Sequence, residues 1–175
     1  MRRPARRALA GVLAGAAGTL AMDAYQFRGE RRRGAASRFA DWELSSRQVA
    51  SFDDGGAPAE IGRRAAEQVG VQIPDRRAGV TQDVVHWSTG VGWGLVAVAV
   101  AGGGSARRGL RAGLVTGVAA FATSYAVLGS LGIYEPIWRY DRESLARDLA
   151  GHLVYGATTG AGLAGVAGLR RFGPG

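Results

Sequence analysis

The chain has 175 residues, enough for one domain, and sets 22 arginines, with no lysine, against 14 acidic residues for a net charge of +8. It has no cysteine, which excludes a disulfide framework, thiolate catalysis and thiolate metal ligands, and leaves the redox compartment open. The arginine excess alone suggests nucleic acid, but the arginines stand in short tracts beside apolar runs and form no dense aromatic–basic face. That is the pattern of a membrane surface, so no nucleic-acid partner is expected.

The chain as a whole has the hydropathy of a soluble protein only because its charge is segregated. The first apolar run, Ala8–Phe27, follows MRRPARR. A basic start and an apolar stretch also describe a secretory signal, with a cut after Ala21 at the small residues Thr19 and Ala21. The run continues to Phe27, however, and a retained membrane helix is expected. The charged segment Arg28–Asp83 comes next. Within it FDDGGAP reads as a turn, and Pro58 starts a helix, PAEIGRRAAEQVGV. Its stripe of Ile61, Ala65 and Val69 opposes Arg63, Arg64 and Glu67. Such a helix lies at the headgroup surface, packs on the membrane helices, or forms a solvated cap.

Three further runs follow: Val84–Ala101, Ala112–Ile133 and Leu149–Leu169. Each of the four is about 18–22 residues long and lacks a polar face, and roughly 20 helical residues cross a bilayer. The expected fold is all-α: an integral membrane four-helix bundle with helices over 8–27, 84–101, 110–133 and 148–169, and one long extramembrane segment, 28–83. Four spans put both termini on one side. The tracts Met1–Arg7, Arg107–Arg111 and Arg170–Arg171 favour the cytoplasm for that side, against RGERRR just after the first helix. Trp42, Trp87, Trp93, Tyr134, Trp138 and Tyr140 mostly fall near span ends, where interfacial aromatics belong.

Lipid offers helices no reason to hide leucine, so they associate where small side chains let backbones approach. Spacings of four align Gly11 with Gly15, Gly90 with Gly94, Gly113 with Gly117, and Gly156 with Gly160. These predict one close-packing stripe per helix. The first and third helices share one pattern (two glycines, then Asp23 or Tyr125) and the second and fourth another (His86 or His152, then two glycines). This is the trace of a repeated helical hairpin, or a coincidence of a glycine-rich chain.

Continued by one or two turns, the stripes reach Asp23, His86, Tyr125 and His152. Because successive helices alternate in direction, these four groups fall in the same leaflet and face neighbouring helices. An Asp beside a His fixes its tautomer or stabilises its cation. The cluster therefore suits a polar clasp, a proton relay or a cation site. Asp83 and Asp148, one turn outward of the histidines, read as N-terminal carboxylates favourable to the helix dipole. Glu135, in the turn before Pro136, is placed to reach the same face. Tyr155, Thr158 and Thr159 offer hydroxyls deeper in the fourth helix, where they bond to backbone. The histidines lack paired metal-ligand spacing, and no metal or cofactor is expected.

No enzyme constellation is present: no G-x-S-x-G elbow, no phosphate loop, and Gly90-x-Gly92-x-Gly94 is not the dinucleotide pattern. HWSTGVGWG, LGIYEPIWRYD (Leu131–Asp141) and DLAGHLVYG resemble the YagU-like bacterial inner-membrane proteins, a domain of unknown function, from about Pro58 to Leu169. The resemblance implies an α-helical multi-pass protein of the bacterial plasma membrane and brings no reaction or ligand with it. The expected function is a structural or partner-binding membrane protein, without enzymatic activity. The alternative is a small proton- or cation-handling transporter built on the Asp/His/Tyr cluster, working as a homo-oligomer.

Overall fold

A computed structural model describes residues 3–34, 38–102 and 105–172. Among them the chain is all-helical, with no strand. Its α-helices are Arg3–Arg32 (α1), Phe39–Glu43 (α2), Ala57–Gln68 (α3), Ala78–Ala101 (α4), Ala106–Ser130 (α5) and Arg142–Phe172 (α6). Four are long, with 30, 24, 25 and 31 residues for α1, α4, α5 and α6.

Two of the long helices, α1 and α6, outrun their predicted ranges at both ends, and α5 starts early at Ala106 but stops at Ser130, short of the predicted 133; α4 gains only at its start. It begins at Ala78 rather than Val84, because the turn Asp75–Arg77 after Pro74 leads straight into it and Ala78 is fully buried. It stops at Gly102, whose φ of 62° is a left-handed cap that glycine adopts without strain. Helix α6 begins at Arg142, after Asp141 accepts a hydrogen bond from the Ser144 amide at 2.8 Å. The Asp141 carboxyl is held below its ordinary range by the Ser144 amide and hydroxyl.

By length and composition, three of the described helical stretches can cross a membrane: Pro4–Arg32, Asp75–Ala101 and Ala106–Ser130. Helix α6 is long enough, but His152, Tyr155, Thr158, Thr159 and its many glycines dilute its apolar character.

The long helices form a ring in which α1 adjoins α4 and α6, and α5 adjoins α6 and, more loosely, α4. Two seams are backbone to backbone. A Cβ added at Gly15 would stand 2.7 Å from the Gly90 carbonyl oxygen, and one at Gly94 only 2.6 Å from the Gly15 Cα. Across the bundle, a Cβ at Gly156 would stand 2.6 Å from the Gly113 carbonyl oxygen, and one at Gly117 3.1 Å from the Gly156 Cα. Any side chain at these positions forces the helices apart.

Most of what the bundle buries is small: Ala14, Ala97, Ala112 and Ala120, with Thr19, Thr116 and Thr159; Phe27, Leu128, Tyr155 and Leu163 are the larger buried side chains. What it exposes is large and aliphatic. Leu9, Leu13 and Leu20 of α1, Leu95, Val96 and Val100 of α4, Leu110, Leu114, Val115 and Val118 of α5, and Leu153 and Val166 of α6 all face outward.

The segment before α4 folds over one end of the bundle. Phe52, Ala59 and Ala78 make a small buried cluster, with Val49 and Ile73 against it. Helix α3 sits on α4 at Gly62, where a Cβ would stand 3.0 Å from Val85 Cγ2. The Gly56 amide donates to Gln82 Oε1 at 2.7 Å, and Arg64 Nη1 donates to the Leu131 carbonyl at 2.6 Å. Of the three placements open to it, α3 therefore takes the one packed on the bundle. Its Glu60 pairs with Arg63 and Arg64, which hold the carboxyl below its ordinary range, the Arg63 hydrogen bond contributing most.

Candidate functional site

At the end covered by α3, α4 and α5 separate, and a cavity of about 370 Å³ opens between the helices. That volume falls within the roughly 300–1,000 Å³ of small-molecule sites. Its floor is the Tyr155 side chain of α6, which crosses the bundle and donates to the Gly90 carbonyl at 2.6 Å. Its roof is Ala57, Pro58 and Ile61 of α3, with Tyr134 from the α5–α6 turn. Both histidines are on its wall.

His86 is carried by α4 to face α1. Its Nε2 donates to both Asp23 oxygens, at 3.1 and 3.2 Å. Asp23 is 2 % exposed, so its carboxylate relies on this bond. A carboxylate only accepts, so the His86 proton sits on Nε2 and Nδ1 is left for another partner. Glu43, at the end of α2, is close to the same pair. Burial, and then repulsion from Asp23, push the Glu43 carboxyl above its ordinary range, with His86 offsetting part of the rise.

His152 is held from its own helix. Its Nδ1 donates to the Asp148 carbonyl at 3.0 Å and stands 3.4 Å from Asp148 Oδ1, one turn earlier. The carbonyl fixes the proton on Nδ1 and leaves Nε2 for another partner.

The candidate residues make two sets of contacts around one cavity. Asp23 and His86 pair across α1 and α4. Tyr125 packs in an aromatic cluster where the end of α5 meets the start of α6. Its ring lies 4.9 Å from Phe121, 5.3 Å from Tyr140 and 5.5 Å from Tyr134, and Phe121 lies 5.6 Å from His152. Burial pushes the Tyr134 hydroxyl above its ordinary range. Asp23 and Tyr125 stand behind the cavity lining; His86, His152, Asp148 and Tyr155 are part of it.

Three secondary assignments change. Asp83 lies past the first turn of α4, which contains no acidic residue, so its helix-dipole reading does not hold. Asp148 likewise lies beyond the first turn of α6, where Glu143 takes that place, and serves His152 instead. Glu135 turns to solvent and pairs with Arg139 at 2.8 Å, because the short turn Ile137–Arg139 brings that guanidinium to it. Sequence reasoning missed Glu43. Its place beside Asp23 comes from the packing of Phe27, Phe39 and Trp42, whose rings are 5.5–6.2 Å apart, and no spacing rule announces it.

Among the described residues, no three His, Cys, Asp or Glu side chains converge to hold a metal ion. Comparison with protein-family models, with curated proteins and with solved structures gave no match.

Proposed function

We propose that the chain is a multi-pass integral membrane protein of the bacterial plasma membrane, with all four long helices across the bilayer, its termini in the cytoplasm, and a binding rather than catalytic role centred on the α4–α5 cavity. One observation carries the reading: the side chains are sorted the wrong way round for water. Leucine and valine cover the outside of α1, α4 and α5, while alanine, glycine and threonine fill most of the inside. Water would drive those aliphatic chains inward at about 25 cal/mol per Å², whereas lipid leaves them out and rewards close backbone packing. Helix α6 completes the bundle through its glycine seam with α5, so its lower hydropathy is compatible with a span shielded by neighbours. The YagU-like motifs add the plasma membrane to this picture, and the uncompensated arginine tracts add the cytoplasmic termini.

The test is extraction. Membranes from cells expressing the full chain, washed with alkaline carbonate, are expected to retain it until detergent is added. Recovery in the carbonate supernatant overturns the reading.

A second reading, proton or cation passage, is favoured by two cavity-lining imidazoles that each have a carboxylate close by. The glycine-tight half of the bundle weighs against it, because no cavity continues between Gly15 and Gly94 or between Gly113 and Gly156. In liposomes, passage predicts a pH-dependent flux abolished by His86→Ala and by His152→Ala.

A further inference from the structure

Resting on the membrane reading, we propose that the cavity binds an aliphatic primary ammonium, held by its N–H groups at His86 and His152, with its tail passing sideways between α4 and α5 into lipid.

The ring nitrogens set the polarity of the ligand. His86 commits Nε2–H to Asp23 and His152 commits Nδ1–H to the Asp148 carbonyl. In the neutral imidazoles the remaining nitrogens, Nδ1 of His86 and Nε2 of His152, are acceptors. A ligand meeting both must bring at least two donors. Charge points the same way. The cavity wall includes the Asp148 carboxylate, Asp23 stands directly behind His86, and no arginine is among the described lining residues although the chain has 22. An anion would meet the Asp148 carboxylate with no lining arginine to offset it. A bare divalent ion is disfavoured because no three ligating side chains converge among the described residues. An ammonium supplies three donors and a positive charge.

The walls set the tail. Met22, Val85, Trp93, Val127 and Leu128 supply apolar surface around the polar groups. The cavity is floored by Tyr155 and roofed by α3, so it opens on neither of those sides. Thr89 of α4 and Thr123 and Val127 of α5 line it and are also exposed on the outer face of the bundle. They frame a gap between α4 and α5, the adjacent pair of long helices that packs most loosely. A ligand reaching the cavity through that gap arrives from the hydrocarbon, so its ammonium must carry an apolar tail.

The experiment uses the full chain in phosphatidylcholine nanodiscs and radiolabelled dodecylammonium, read by scintillation proximity against empty discs. Saturable binding is expected. Dodecyltrimethylammonium, which has the charge but no N–H donor, is expected to compete at least about tenfold more weakly, as a site built for donors rejects an analogue lacking them. His152→Ala is expected to weaken binding by about tenfold, and Thr89→Trp, which fills the gap, to slow or abolish it. Helicity by circular dichroism and the melting temperature establish that each variant is folded.

No saturable signal from folded protein in discs overturns the proposal. Equal competition by the trimethylated amine overturns the role of the imidazoles, and unchanged binding in Thr89→Trp overturns the lateral route. Discs containing phosphatidylethanolamine separate two sources of the group. Competition identifies a lipid headgroup and no competition a free amine, and either outcome supports the ammonium assignment. A chain that does not enter discs removes the membrane reading as well; one that enters and does not bind removes only this inference.

Discussion

Where the chain begins, and again at the loop between α4 and α5, the helices touch through Gly11, Gly15, Gly94, Gly113 and Gly160 with alanine, Leu163 and buried threonine between them. At the opposite end the same helices part around His86, His152 and Asp148 and are covered by α3. Charge divides along the same line. The segments flanking the tight end carry nine arginines and no acid, and the rest of the chain carries thirteen arginines and all fourteen acids. The tight half holds the helices in register and the open half holds chemistry. Polar groups concentrate where the helices separate, because only there is space for a partner to satisfy them.

The largest expected effect breaks the tight half. Gly94→Leu drives a side chain into the backbone of α1 and is expected to cost at least about 3 kcal/mol, read as a lower melting temperature or aggregation in detergent. Its control, Gly92→Leu, points where an added Cβ meets nothing within 4 Å and should change stability by no more than about 0.5 kcal/mol. Equal losses at the two sites would end the distinction between packed and outward glycines.

The open half should break more gently. Asp23→Ala strands the His86 Nε2–H and is expected to cost about 1–3 kcal/mol, measured by thermal unfolding in detergent. At the boundary between halves, Tyr155→Phe removes the hydroxyl that donates to the Gly90 carbonyl. It should cost about 1 kcal/mol and leave helicity unchanged.

The smallest effect is a gain. Glu43→Gln removes a carboxylate that burial and Asp23 penalise. With its folded pKa raised, Glu43 opposes folding fully only above that pKa and not at all below its unfolded value near 4.5. The variant should therefore be the more stable protein at neutral pH, and the advantage should vanish on acidification. An advantage that persists at low pH would show that charge is not its source.

Much of the tight half was legible in the sequence, because it is written in one helical period. Glycines four apart lie on one line, so each helix's packing stripe could be read, while the partners Gly15 with Gly94 and Gly113 with Gly156 came only from the structure. The open half was legible only in part. The Asp23–His86 pair obeys the same register, but Tyr125, on the equivalent position of α5, is drawn into contact with Tyr134 and Tyr140 by the α5–α6 turn. Asp83 and Asp148 were misplaced because the start of an apolar run does not mark the start of a helix, and Glu135 because a run of charge does not show that the short turn Ile137–Arg139 brings Arg139 to it. Glu43 and the roof of α3 belong to a segment with no single period, where position is set by contacts such as Gln82 with the Gly56 amide.

Gly15 and Gly94 also decide how this molecule can move. Two backbones in contact behave like meshed gear teeth: neither α1 nor α4 can slide or roll without collision, and the α5–α6 seam is locked in the same manner. A change in the cavity would therefore have to come from the other end, where α3 is fastened to α4 and to the end of α5 by side-chain contacts rather than by backbone against backbone.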